Sequence, residues 1–86
     1  MGYAIEFRPR ARREFRKLPH DVKLRLTKAI SRLENEPRPQ GCRTLKGEEN
    51  AYRIRVGSYR LLYQVHDDKL LVLIVRAGHR KEVYNP

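Results

Sequence analysis

Tyr52-Arg53-Ile54-Arg55-Val56-Gly57-Ser58-Tyr59-Arg60-Leu61-Leu62-Tyr63 is the stretch whose reading decides the fold. Its first five residues alternate apolar and basic side chains, the period-two pattern of a strand with one face in a core and the other turned to solvent or a ligand. Gly57-Ser58 interrupts the run, and glycine at the first central position suits a two-residue type II′ hairpin turn. The following residues, Tyr59 to His66, are rich in β-branched and aromatic side chains and predict a second strand. With a two-residue loop the register follows by counting. Val56 faces Tyr59, Ile54 faces Leu61 and Tyr52 faces Tyr63 on the core face, while Arg55 lies directly across from Arg60 on the other, with Arg53 one diagonal step away. Like charges placed opposite each other are destabilising unless something anionic sits between them, so this face reads as a phosphate-binding surface.

Downstream, Asp67-Asp68 reads as a second two-residue turn leading into an aliphatic strand from Lys69 to Ala77, too short to span a membrane. Gly78 is expected to turn the chain sharply and bring His79, Arg80 and Tyr84 back beside the arginines. Upstream, Gly2 to Arg8 alternates with Tyr3, Ile5 and Phe7 on one side and predicts a first strand. Pro9 ends it and opens a short helix with Ala11, Phe15 and Leu18 in one stripe. The outer face of that helix, with Arg10, Arg12, Arg13, Arg16 and Lys17 offset only by Glu14, is a basic ridge, either simply solvated or suited to tracking a nucleic-acid backbone. Pro19 breaks this helix. Asp21 or His20 can cap a second one, whose stripe is Val22, Leu26, Ala29, Ile30 and Leu33. Two prolines and a glycine between Asn35 and Gly41 make a loop, and Leu45-Lys46-Gly47 with the residues after it reads as an irregular crossing. The order predicts an α+β domain, a two-helix hairpin packed on one face of a small four-stranded, mostly antiparallel sheet (β-α-α-β-β-β) whose other face is free.

At 86 residues the chain is one domain with room for one core and one site. Twenty Lys and Arg against ten Asp and Glu give a net charge of +10, which implies a polyanionic partner. Nucleic acid comes first, an acidic protein second and an anionic membrane a distant third. Neither a spanning segment nor a signal peptide is present, so the cytoplasm is the expected location. The single Cys42 forms no internal disulfide and three scattered histidines have no zinc-site spacing, so no metal is expected.

Lys17-Leu18, the Pro37 loop, Leu45-Lys46-Gly47, the quoted hairpin, Gly78-His79-Arg80 and Glu82-Val83-Tyr84 occur in an order and spacing that resembles the RelE/ParE superfamily of toxins from toxin–antitoxin pairs, over nearly the full length. The resemblance implies a compact sheet-and-helix fold that cuts messenger RNA in the ribosomal decoding (A) site, beside ribosomal RNA, and an acidic antitoxin that wraps the toxin. It implies that Arg53, Arg60 and Arg80 hold the scissile phosphate and that Tyr84 stacks on a base. Lys46, Arg12 and Arg13 are expected to add substrate contacts. Where the family carries a lysine that activates the nucleophile, this chain has Arg55, and a guanidinium with a pKa above about 12 is no general base. Arg55 can still stabilise the developing 2′-oxyanion electrostatically. His79 is then the one residue of the cluster whose ordinary pKa lies near neutrality, a candidate acid or base. No cofactor is required, because the nucleophile is the 2′-hydroxyl of the substrate. The alternatives are a ParE-like toxin that inhibits DNA gyrase without cutting RNA, and a non-catalytic RNA-binding module.

Overall fold

Seven elements follow one another in the computed structural model, which describes residues 2–79. They are Ala4–Phe7 (β1), Pro9–Arg16 (α1), His20–Leu33 (α2), Arg43–Thr44 (β2), Ala51–Val56 (β3), Tyr59–His66 (β4) and Leu71–His79 (β5). The sheet runs β1-β5-β4-β3-β2, with β1 parallel to β5 and every other neighbour antiparallel. The apolar face of this mixed sheet meets the stripes of the two helices in one core. Leu26, Leu33, Leu61, Tyr63, Val65, Val72 and Ile74 are fully buried there, with Phe7, Phe15, Leu18 and Ile54 packed around them.

The register of the quoted hairpin is the expected one: Val56 pairs with Tyr59, Ile54 with Leu61, Tyr52 with Tyr63 and Arg55 with Arg60. Gly57 has φ +62°, the sign that the first central position of a II′ turn requires. Other boundaries differ. The sheet has five strands where the sequence predicts four, because Arg43 and Thr44, between the expected loop and the expected irregular crossing, pair with Arg53 and Tyr52. Two exposed residues with no apolar position carry no periodic signal. The first strand is shorter than Gly2 to Arg8. The second helix begins at His20 without a side-chain cap, so neither His20 nor Asp21 plays that part.

The turn expected at Asp67-Asp68 is four residues long. His66 pairs with Leu71, Leu70 takes φ +51°, and the strand starts two residues later than Lys69. Asp67 is held from outside the hairpin. Arg38 donates to both of its carboxylate oxygens at 3.1 and 2.7 Å and the Tyr3 hydroxyl donates at 2.7 Å. Arg38 also donates Nε to the Tyr52 hydroxyl at 2.7 Å and lies over that ring, while the buried Tyr63 hydroxyl donates to the Pro37 carbonyl at 2.8 Å. The loop after α2 is thereby fastened to β3, to β4 and to the β4–β5 turn just before it delivers Gly41 and Arg43 to the sheet. Burial pushes the Tyr63 phenol well up, so it stays a donor.

The last strand also runs past Ala77. Gly78 is not a turn; it is a strand residue directly across from Arg60. Between Leu62 and Tyr63 the partners jump from Arg76 to Ile74, so Val75 is a bulge. Beyond Ile74 the β1 side of β5 is covered by α1, whose Glu14 accepts the Ala77 amide at 3.1 Å and the Arg76 Nε at 2.9 Å.

Candidate nucleic-acid interface

The face of β3 and β4 turned away from the helices holds two arginine pairs in direct opposition. Arg55 stands across from Arg60 and Arg43 across from Arg53. Directly opposed residues of antiparallel strands have Cβ atoms about 5 Å apart, close enough for four guanidinium groups to serve one small anion. They surround a cavity of about 400 Å³ lined by Gly41, Arg43, Arg53, Arg55 and Arg60. Among the described residues, every side chain that lines it is an arginine. Gly41, at φ +95°, lets the fastened loop bend into β2 and closes the cleft without a side chain.

The four arginines are not equivalent. Arg55 is exposed and Arg53 half-buried, whereas Arg60 is only 7% exposed. The residue across from Arg60 on β5 is Gly78, which puts no side chain on the face that the Arg60 stem occupies. A guanidinium held in so confined a place is costly to desolvate, and such placement belongs to a site rather than to a solvated sheet face.

The remaining expected site residues sort clearly. Arg53, Arg55 and Arg60 come together. Arg43 joins them although the sequence reading missed it; its only signal was a basic residue beside the strand that carries Arg53. His79 pairs with Tyr59, with ring centroids 5.5 Å apart in an edge-to-face contact. Since directly opposed residues share a face and Tyr59 opposes the core residue Val56, His79 falls on the helix side of the sheet, not among the cleft arginines. Lys46 is exposed in the turn beyond β2, at the other end of that strand from Gly41. Arg12 and Arg13 ride on α1, which packs over β5 and β1, and Arg12 lies 5.7 Å over the Phe7 ring. Arg80 and Tyr84 lie outside the described residues.

The helix α2 contributes cations that the sequence reading did not single out. Arg25, Lys28 and Arg32 line a second cavity of about 380 Å³ with Gly41, Ile54, Arg55 and Val56.

The family model described as the ParE toxin of type II toxin–antitoxin systems, parDE, matches residues 5–84. The chain is 37% identical over 89 residues to the mRNA interferase toxin RelE of Escherichia coli (strain K12), covering 99% of this chain and 93% of that one. It is 33% identical over 85 residues to the toxin RelG of Mycobacterium tuberculosis, covering 98% of each. The crystal structure of the intact E. coli RelBE toxin–antitoxin complex contains a chain that superposes with a TM-score of 0.82 at 35% identity, over 90% of this chain and 95% of that one. With the strand order, the two helices and the full-length matches in agreement, the chain belongs to the RelE/ParE superfamily of toxins from type II toxin–antitoxin systems.

Proposed function

We propose that this protein is a toxin that cuts messenger RNA on the ribosome. The observation that carries the reading is the double opposition of Arg43 with Arg53 and of Arg55 with Arg60 around one cleft. A phosphodiester placed there meets guanidinium groups on several sides. Attack by the ribose 2′-oxygen on phosphorus forms a 2′,3′-cyclic phosphate and breaks the bond to the 5′-oxygen; the 2′-hydroxyl gives up its proton and the departing 5′-oxygen gains one. Negative charge builds on the phosphoryl oxygens, the nucleophile and the leaving group, and preorganised cations aimed at such charge lower the barrier without a metal or a cofactor. Arg55, the exposed member, faces the nucleophile; Arg53 and Arg60 hold the phosphate, Arg80 adds to that grip, and Tyr84 stacks on a base. Lys46, Arg12 and Arg13 contact RNA outside the cleft.

The partner follows from similar relatives. The RelE chain crystallised with RelB is held by an antitoxin, and a toxin of +10 charge suits an acidic one. No described helix is long and apolar enough to cross a membrane, and a ribosomal target places the toxin in the cytoplasm. The test is induction from a tight promoter with mapping of transcript 5′ ends, beside single-turnover cleavage of programmed ribosomes by wild type and Arg55→Ala. Cleavage in wild type that falls at least about 10²-fold in the variant is expected. Growth arrest with intact transcripts would instead favour gyrase as the target.

A further inference from the structure

The arginine cleft does not end at Arg55. Arg55 and Gly41 line both it and the second cavity, which lies between α2 and the outer edge of β3. The strand pairing explains the opening: β2 reaches only to Arg53, so among the described elements no strand covers the outer edge of β3 from Ile54 to Val56. On the other wall, Arg25, Lys28 and Arg32 recur at i, i+3 and i+7, one face of a helix, and no acidic residue is among the described residues that line the cavity. Arg25 pairs weakly with exposed Asp21, at 3.5 Å, and its guanidinium lies beside Gly57, close enough that a Cβ there would stand 3.5 Å from it. From Arg25 to Arg32 the helix advances about 10 Å, the rise of about three nucleotides at 3.4 Å each.

We propose that the groove between α2 and β3 is a second arm of the cleft, in which Arg25, Lys28 and Arg32 hold backbone phosphates of the substrate strand as it continues past Arg55. The inference rests on the RNA-cleaving reading for the identity of the strand. Continuity through Arg55 selects the strand already in the cleft over some separate polyanion. Positioning by the arm acts on affinity more than on the chemical step, because its contacts form equally in ground and transition states.

The test uses 2′-O-methyl oligouridylates, which cannot be cut, of three and ten nucleotides. Binding is followed by fluorescence anisotropy across a salt series for the full chain, for the triple variant Arg25→Ala, Lys28→Ala, Arg32→Ala, and for a control that removes three exposed charges at the two ends of α1 (Arg8→Ala, Arg16→Ala, Lys17→Ala). For the ten-nucleotide strand, the α2 variant is expected to lower the log–log salt slope by about 2, at about 0.7 per lost phosphate contact. The three-nucleotide strand, which the cleft alone can hold, should show no change, and the control should lose less than half as much on the longer strand. On programmed ribosomes the α2 variant should raise KM with kcat within about twofold. Equal losses in the α2 variant and the control, or a loss confined to ribosomes with both oligonucleotides unaffected, would overturn the assignment to the substrate strand. The slope is read without cleavage. A wild type that binds in this pattern but cuts nothing would therefore defeat the catalytic reading and leave the track standing.

Discussion

Arg55 and Arg60 oppose each other across the β3–β4 hairpin, one exposed and the other nearly closed off. Their substitutions should therefore separate. Arg55→Ala removes a like-charge contact at the surface and should leave the urea midpoint unchanged or slightly higher, while cleavage falls at least about 10²-fold. Arg60→Ala should lose cleavage as well and also destabilise the fold by about 1–3 kcal/mol, since it empties a packed site. Equal stability of the two variants would mean that the burial of Arg60 contributes nothing to the fold.

The Asp67 clamp makes a prediction in pH. Hydrogen bonds from Arg38, then from Tyr3, hold the Asp67 carboxyl below its ordinary value, at about 2. A depressed carboxyl stabilises the fold above its unfolded pKa of about 3.9 and loses that contribution as pH falls toward 2. Asp67→Asn should lower the urea midpoint at pH 7 and flatten its decline between pH 4 and 2. A variant that kept the wild-type acid limb would exclude Asp67 as its source.

Glu14 joins α1 to the bare side of β5 through the Ala77 amide and Arg76, a pair largely withdrawn from solvent. Glu14→Ala should cost about 1–3 kcal/mol and speed hydrogen exchange at Ala77. Glu14→Gln keeps an acceptor but not the charge, so it should fall between the two. Unchanged exchange at Ala77 in the Ala variant would refute the contact.

His79 decides whether the protein moves any proton. A general acid or base must come within about 3 Å of the proton it transfers, and the register puts His79 on the face away from Arg55 and Arg60. The expected result is a single-turnover rate for His79→Ala within about threefold of wild type and a flat profile in both between pH 5.5 and 7.5, where histidine ordinarily titrates. A loss of 10² or more together with a sloping wild-type profile would restore proton transfer by the imidazole, at the magnitude usual for acid–base catalysis of about 10²–10⁴.

The hairpin and its arginine opposition were legible because a two-residue turn converts sequence spacing into cross-strand pairs by counting alone. The helices were legible from their stripes. What escaped the sequence reading is what long-range contacts decide. Arg43 becomes a cleft residue only because the clamp at Arg38 and Asp67 steers its loop to the β3 edge, and no local pattern announces a two-residue strand. Asp67-Asp68 looked like a tight turn because the hydrogen bonds that open it come from Tyr3 and Arg38, both far away in the chain. Gly78 looked like a turn for the reason glycines usually do. Its actual neighbour, Arg60, is a cross-strand fact that the bulge at Val75 hides from counting.

The parallel pairing of β1 with β5 sets the order in which the molecule can be completed. Ile5 finds its partner in Val72, far along the chain. Until Val72 and Ile74 leave the ribosome, the hairpin bearing the cleft arginines lacks the strand that ties it to β1 and α1, and contacts so distant in sequence form late and slowly. The contacts that seat the hairpin against β1 and α1 are therefore the last to form, and the arginine cleft is completed only when the ends of this long-range pairing have met.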